Sequence, residues 1–305
     1  MLMLYRPIIP CMTFAGILIA ALAGCSGGAK KPAPAAKNVV ALYVKSGVGE
    51  PKPGDKVWQQ APLAAVAMLP QDLTDPKLMD SGIPSIHVKA LCDDKNIAFN
   101  IEWYDSTPDT AEVEGKFPDA VAVQLPPAPG GETPDPTMGQ AGRPVHIHFW
   151  KASYQQNLDR GEWSLRQNFP NASVDHYPSD AATDQADKEK LSEQFTTGLA
   201  AGNPITRKRT SSVDDLIAEG FGTLSFLPMQ VSKGWSSWRN LKWSVVVLSP
   251  LAVADWPGGP GLKAGQNSFV AFAVWDGSRK QAGSRKMRSV WTPLALGASD
   301  YTGQR

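Results

Sequence analysis

Two histidines separated by one residue, His146 and His148, are direct candidates for metal chemistry. They lie in PVHIHFWKA (144–152), whose alternating apolar residues predict a strand. Residues i and i+2 of a strand point to the same side, so two imidazoles there could share a zinc or copper ion. A third ligand, His87 or His176, would have to come from elsewhere. The alternative is a pair of polar side chains on the outer face of an edge strand.

Met138 lies in the loop sequence PTMGQAGRP, just before that strand, and belongs to no periodic apolar pattern. A thioether is a soft ligand that suits haem iron and raises its reduction potential. The alternative is a loop side chain that packs back onto the core, which is the commonest use of methionine.

A cluster of cations without an intervening acid lies between two apolar segments near the end of the chain: Arg279, Lys280, Arg285, Lys286 and Arg288. A lysine ligates iron only as the neutral amine, and burial in an apolar site lowers its affinity for a proton. The flanking Trp275 and Trp291 could provide such a site, while the arginines could pair with carboxylates such as haem propionates. The alternative is a solvated hairpin turn, because charge runs usually lie on solvated faces.

The elements that position these side chains are mostly strands. KNIAFNIEWYD (95–105) alternates apolar and polar residues, and residues 268–275 are apolar on both faces, as in a central strand between two layers. Long Pro/Gly loops, notably 126–144, separate the strands, and residues 182–200 have a helical composition. The pattern predicts an all-β chain: one antiparallel β-sandwich domain over 39–305, with long loops and a short helical insertion.

The composition narrows the classes of function. Thirty Lys+Arg against 29 Asp+Glu give a net charge of +1, so no basic field indicates a nucleic-acid partner. No CxxCH motif is present for covalent c-type haem, and the three cysteines cannot supply the four thiolates of an Fe–S cluster. No GxSxG nucleophile elbow is present either.

The first 38 residues indicate export and lipid anchoring. Residues 1–24 are typical of a signal peptide, and LAGC (22–25) resembles the lipobox of bacterial lipoproteins, in which Cys25 becomes the lipid-bearing first residue. Residues 25–38 form a flexible tether. The alternative for the apolar run is a single membrane span. We expect a lipid-anchored protein on the periplasmic side, and Ser26, in place of an aspartate retention signal, favours the outer membrane.

Four blocks occur in a characteristic order: FPDAVAVQLP (117–126), TMGQAGRPVHIHFWKA (137–152), VDDLIAEGFGTLSF (213–226) and FAVWDGSRKQAGSRKMRSVW (272–291). Together they resemble the haem-b-binding γ subunit of type II enzymes of the DMSO reductase family. These enzymes include ethylbenzene dehydrogenase, dimethylsulfide dehydrogenase, selenate reductase and chlorate reductase. The resemblance covers about residues 55–295.

Members of that family are periplasmic β-sandwiches that hold one haem b between an axial methionine and an axial lysine. By position, the resemblance implies that Met138 and Lys286 are the two axial ligands. The remaining candidates are the fallback iron ligands Lys280, His146 and His148, and the haem-contacting residues Arg285 and Trp291.

The resemblance therefore implies an electron-transfer protein with one haem b per chain and no substrate chemistry of its own. The implied partners are a molybdopterin catalytic subunit with its Fe–S subunit, or a c-type cytochrome. The lipoprotein signal and an insertion at about 153–210 depart from the soluble family members and favour a membrane-tethered carrier. The alternative is a β-sandwich lipoprotein without haem that binds carbohydrate or another small molecule, with some of the ten tryptophans as stacking platforms.

Overall fold

The computed structural model describes residues 37–299, apart from residues 131, 162–166, 168 and 174–175. The predicted signal peptide and the lipidation candidate Cys25 lie outside the described residues. The first strand begins at Val39.

The described part of the chain is mostly β-structure. Its strands are β1 (Val39–Tyr43), β2 (Ala64–Ala67), β3 (Leu69–Pro70), β4 (Ser85–Cys92), β5 (Asn96–Tyr104), β6 (Ala120–Leu125), β7 (Val145–Lys151), β8 (Val213–Ala218), β9 (Ser225–Phe226), β10 (Lys233–Trp238), β11 (Lys242–Pro250), β12 (Asn267–Trp275), β13 (Met287–Arg288) and β14 (Thr292–Leu296).

The strands form two layers that share β12. In sheet 1, the order β10-β11-β5-β4-β1-β14 ends on the first half of β12, and β2 also pairs with β4. In sheet 2, the second half of β12 continues into β6-β7-β8-β9, with β13 and β3 on its other side. Pairing is antiparallel as predicted, except that β1 pairs parallel with both β14 and β4.

The main core lies between the two sheets and follows from the alternation of the strands. Ile97, Phe99, Ile101 and Trp103 on β5 all belong to it, as the period of two predicts. Trp103 also meets Trp150 of sheet 2 edge to face, with ring centroids 6.5 Å apart. The predicted all-β sandwich is confirmed in outline.

Within the described residues, the helices are few and short. They are α1 (Ala152–Arg160), α2 (Gln185–Phe195) and α3 (Thr197–Ala200), all between β7 and β8, with single 3-10 turns at Lys56–Gln59, Pro178–Ala181 and Gly277–Arg279. Asp184 caps α2 by accepting hydrogen bonds from the backbone N–H groups of Ala186 and Asp187. The short helical insertion is thus confirmed. No helix within the described ranges is both long and apolar enough to cross a bilayer.

Candidate functional site

A cavity of about 1010 Å³ lies on the face of sheet 2 that points away from the main core. Its floor consists of residues that alternate along the central strands: Ala120, Ala122, Ile147, Phe149, Leu216, Ala271 and Ala273. The alanines carry nothing beyond Cβ, so they leave a low apolar surface above the sheet. Ala122 and Ala273 are directly opposed in the β6–β12 register and form the middle of this floor.

The walls of the cavity come mainly from connecting segments, together with Arg288 of the short strand β13. The contributing residues lie within 71–75, 112–118, 136–138, 221–224 and 281–286. A site with an apolar floor and a few polar groups on loops is typical of a pocket for a large organic ligand.

The backbone fixes Met138 in one wall. Its φ of 75° lies in the left-handed region that non-glycine residues rarely adopt. The Met138 carbonyl accepts a hydrogen bond of 2.8 Å from Gly220 N–H, and Gly139 N–H donates to Asp135 O at 2.9 Å. A Cβ on Gly139 would lie 2.8 Å from Arg143 O, so only glycine permits this close approach. The loop therefore presents the thioether from a constrained position.

Lys286 lies in another wall, beside the short strand β13. The carbonyl of Lys286 accepts a 2.9 Å hydrogen bond from Gln71 N–H, and the next residue, Met287, is buried in the main core. Because side chains alternate along an extended chain, Lys286 points away from that core and towards the cavity. Its Nζ lies 5.1 Å from the centroid of the Trp275 ring.

The side chains of Met138 and Lys286 meet inside the cavity. Lys286 Nζ lies 3.9 Å from Met138 Sδ. A soft thioether and a neutral amine brought together in this way would be the two residues that hold a metal centre such as haem iron.

The surroundings of Lys286 favour the neutral amine that metal ligation needs. Burial, and secondarily the charge of Arg288, lower its pKa to about 8 from an ordinary value of 10.5. Within the described residues, no carboxylate lies within ion-pair distance of Lys286 Nζ. The opposed thioether and amine, the apolar floor and the cavity volume together fit a haem with Met/Lys ligation.

The chain matches a known family over most of its length: a family model described as ethylbenzene dehydrogenase matches residues 55–287. The chain belongs to the ethylbenzene dehydrogenase family. A protein from Haloferax mediterranei, named as a proposed haem subunit of a respiratory nitrate reductase, is 21% identical over 248 residues. The match covers 81% of this chain and 68% of that relative. These findings confirm the predicted resemblance to haem-binding γ subunits.

Solved structures with partial similarity include a family 9 carbohydrate-binding module from Caldicellulosiruptor kristjanssonii, in complex with glucose and with cellotriose. The two are 10% and 11% identical to this chain, of which they cover 87% and 88%. The coverage of the module is 99% and 97%, with TM-scores of 0.35 and 0.34. Scores this low support no conclusion about ligands.

The histidine pair of this member of the ethylbenzene dehydrogenase family lies on the side of β7 opposite the cavity. His148 is buried: its Nδ1 is 2.7 Å from Asp215 Oδ1 and its Nε2 is 3.1 Å from Ser249 Oγ. His146 Nε2 lies 2.7 Å from Pro257 O. The edge-strand interpretation is wrong, because β7 pairs with strands on both sides and both histidines are buried. Neither ring borders the cavity that contains Met138.

The other predicted residues lie around the site rather than in its walls. Lys280 and Arg285 are both exposed, and neither lines the cavity. Lys280 instead borders a smaller neighbouring cavity of about 370 Å³. Trp291 packs with Met138 against the outer face of sheet 2 and donates a 2.6 Å hydrogen bond to Pro134 O. It therefore supports the Met138 loop from behind.

Two further polar side chains line the cavity: Arg288, which belongs to the predicted cation cluster but was not selected as a site residue, and Gln281, which was not predicted at all. Arg288 follows Lys286 by two positions, and Gln281 lies in the turn before it. The i, i+2 spacing of Lys286 and Arg288 predicts that both side chains point the same way if the segment is extended. No such pattern predicts Gln281.

Behind the cavity lies a buried group of three carboxylates, Asp105, Asp119 and Asp276, whose oxygens lie within 4.8 Å of one another. Burial, and then the charge of Asp105, raise the pKa of Asp119 to about 8. Its oxygens accept hydrogen bonds of 2.8 Å from Gly277 N–H and 2.9 Å from Trp243 Nε1–H. Asp119 thus joins the end of β12 to sheet 1.

Proposed function

We propose that this chain is a haem b electron-transfer subunit with Met138 and Lys286 as the axial ligands. The observation that carries the proposal is the 3.9 Å approach of Lys286 Nζ to Met138 Sδ inside an apolar cavity. Membership of the ethylbenzene dehydrogenase family and the relative named as a haem subunit support the choice of cofactor.

The residues of the chain would bind the cofactor and set its potential. When bound, haem supplies a one-electron redox couple. Met138 would stabilise the reduced iron, because a soft thioether ligand raises the reduction potential. The apolar floor would exclude water from the ring, which disfavours the more highly charged oxidised state. The chain would then relay electrons to or from a catalytic partner.

We propose that one haem b binds per chain and that the partner is either a molybdopterin catalytic subunit with its Fe–S subunit or a c-type cytochrome. We also propose lipid attachment at Cys25 on the periplasmic side of a membrane, with the outer membrane favoured. Residues 25–38 would then give the domain reach towards its partner.

The sugar-binding alternative expects exposed aromatic side chains along a groove. Among the described tryptophans none is exposed: Trp58, Trp103, Trp150, Trp243, Trp256 and Trp275 are buried, and Trp235, Trp238 and Trp291 are half-buried. This distribution favours structural roles over stacking platforms.

An optical spectrum tests the proposal. The full-length chain is purified from haem-supplied cells, and oxidised and dithionite-reduced spectra are recorded with a pyridine haemochrome assay. We expect a low-spin b-type spectrum at about one haem per chain. Met138→Ala and Lys286→Ala should each abolish or shift it, whereas the matched control Lys280→Ala should not. A wild-type protein that stays colourless after haem addition would falsify the proposal, and loss of the spectrum in Lys280→Ala alone would reassign the lysine.

A further inference from the structure

Arg288 lies on the cavity side of sheet 2 without an adequate partner for its charge. It is opposite Ala273 in the β12–β13 register, so its side chain shares the face that forms the cavity floor. Its Nε–H is buried and has no hydrogen-bond partner among the described residues. One terminal nitrogen lies 3.7 Å from Asp72, whose side chain is 58% exposed. A contact of that length to an exposed carboxylate contributes little.

Gln281 supplies a second unused donor in the same cavity wall. The residue is 1% exposed, and its Oε1 accepts a 3.0 Å hydrogen bond from Asp276 N–H. Its Nε2 is buried and has no partner among the described residues. Leaving a buried donor unsatisfied costs about 1–3 kcal/mol, so such groups are uncommon in folded proteins. Both residues line the same cavity, where a ligand with an acceptor group would satisfy the two donors after a small rotation of the side chains.

The charge balance of the cavity gives the chemical class of that acceptor. Arg288 is always cationic and lies close enough to Lys286 to affect it electrostatically. Three acids line the cavity, Asp75, Glu112 and Glu114, and among the described residues none of them forms an ion pair with Arg288. Glu112 is engaged elsewhere, because its oxygens lie 2.7 Å from Lys151 Nζ and 2.7 Å from Ser153 Oγ. An anionic ligand group would neutralise the guanidinium and accept from Nε–H, and a planar carboxylate matches its geometry.

We propose that Arg288 and Gln281 form an anion subsite that binds a carboxylate of the haem. This inference rests on the proposed haem function. It assigns the binding of the haem carboxylate to Arg288 instead of the exposed Arg285. The edge of the tetrapyrrole that carries the carboxylates would therefore face β13.

The test compares haem with its dimethyl ester, which keeps the iron and the ring but lacks both carboxylates. Dissociation constants of both are measured by absorbance titration for the full-length wild-type chain and for Arg288→Met. Removing Arg288 also changes the electrostatic environment of Lys286, but that change affects both tetrapyrroles alike. The ratio of the two constants is therefore the informative quantity.

The wild-type chain should bind haem about tenfold to a hundredfold more tightly than the ester. Arg288→Met should reduce that ratio to near one, Arg288→Lys should retain part of it, and the matched control Arg285→Met should leave it unchanged. Gln281→Glu, which replaces the donor with an acceptor, should lower it. Thermal unfolding of each haem-free variant verifies that it is folded.

Equal binding of both tetrapyrroles by the wild-type chain would overturn the subsite, as would an unchanged ratio in folded Arg288→Met. In either case haem still binds, so the proposed function survives. Failure of both tetrapyrroles to bind the wild-type chain overturns the proposed function, and the subsite is rejected with it.

Discussion

Ala122 on β6 stands directly opposite Ala273 on β12, and the two methyl groups form the middle of the cavity floor. Larger side chains at this pair would occupy the space above the sheet without entering the main core. The size of these two residues therefore controls whether a flat ligand can lie there.

We expect Ala273→Leu to lower haem affinity at least tenfold and to change the free energy of unfolding by less than about 1 kcal/mol, because the added atoms enter the cavity rather than a packed core. Haem titration and urea unfolding measure the two quantities. Ala65→Leu, on an exposed strand position, is the control and should leave haem affinity unchanged. Full haem affinity in Ala273→Leu would mean that the ligand does not lie on this floor.

Gly139 should be essential to the position of Met138. In Gly139→Ala, the new Cβ would lie 2.8 Å from Arg143 O and 2.9 Å from Ala218 O, at a φ of 77°. In Gly142→Ala the φ is similar, 74°, but nothing lies within 4 Å of the Cβ. We expect both variants to lose about 1 kcal/mol from backbone strain, and Gly139→Ala to lose a further 1–3 kcal/mol.

The spectral signature separates these two glycines further. Only Gly139→Ala should perturb the low-spin spectrum, because only it displaces the Met138 loop. Equal urea midpoints and equal spectra for the two variants would contradict the constraint described for this loop.

Haem affinity should depend on pH through Lys286. Burial and the neighbouring Arg288 lower the pKa of this amine to about 8, and below that pH iron must displace a proton. Apparent affinity should therefore rise by up to about tenfold per pH unit from pH 6 to 8 and then level off. Titrations at four pH values measure the slope. The same slope in Lys286→Ala would assign the proton to another group.

Stability should fall as the pH rises through the neutral range because of Asp119. Its pKa is raised from 3.8 to about 8, so between these values the folded protein holds a proton that the unfolded chain has released. The contribution is fully present below pH 4 and is lost by pH 8, with a slope of at most about 1.4 kcal/mol per pH unit. Asp105, with its pKa raised to about 6, acts in the same direction.

Asp119→Asn tests this contribution by urea unfolding at pH 5, 6, 7 and 8. The variant should be less stable at pH 5, because an amide keeps only one of the two acceptor oxygens, but its stability should decline less as the pH rises. Asp255→Asn, at an exposed position, should reproduce the wild-type slope. An unaltered slope in Asp119→Asn would show that this carboxyl is ionised in the folded protein.

His148 should stabilise the fold without contacting the haem. Burial alone would raise the pKa of Asp215, but hydrogen bonds from His148 and Ser232 lower it. Removing the imidazole in His148→Ala leaves a buried carboxylate with one hydrogen-bond donor fewer, at a cost of about 1–3 kcal/mol. We expect a lower melting temperature and an unchanged low-spin spectrum in the folded fraction. A changed axial-ligand spectrum would restore His148 as an iron ligand.

The strand pattern predicted which residues share a face, but not which surface each face meets. On β7, the alternation correctly separates Ile147 and Phe149 from His146 and His148. The sequence order suggests apolar residues inward and polar residues outward, yet the histidines face the main core and the apolar residues face the cavity. A period of two is the same in either orientation, so the orientation depends on strand pairing, which alternation does not encode.

The local sequence pattern also does not predict which residues far apart in the chain contact each other. Met138 and Lys286 are separated by 148 positions and approach each other only because β12, β6 and β7 are neighbours in one sheet. Only family resemblance paired them in advance. The parallel pairing of β1 with β4 and β14 had no local signal either, because every residue of β1 would suit either direction.

Because β12 is hydrogen-bonded in both sheets, the cavity floor cannot separate without disrupting the whole domain. Met138 and Lys286 are different, since both lie on segments outside the regular strands. A local opening of either segment requires less free energy than global unfolding. The residence time of a bound cofactor is therefore set by how often these two segments open. A domain that unfolds slowly can still exchange its cofactor rapidly.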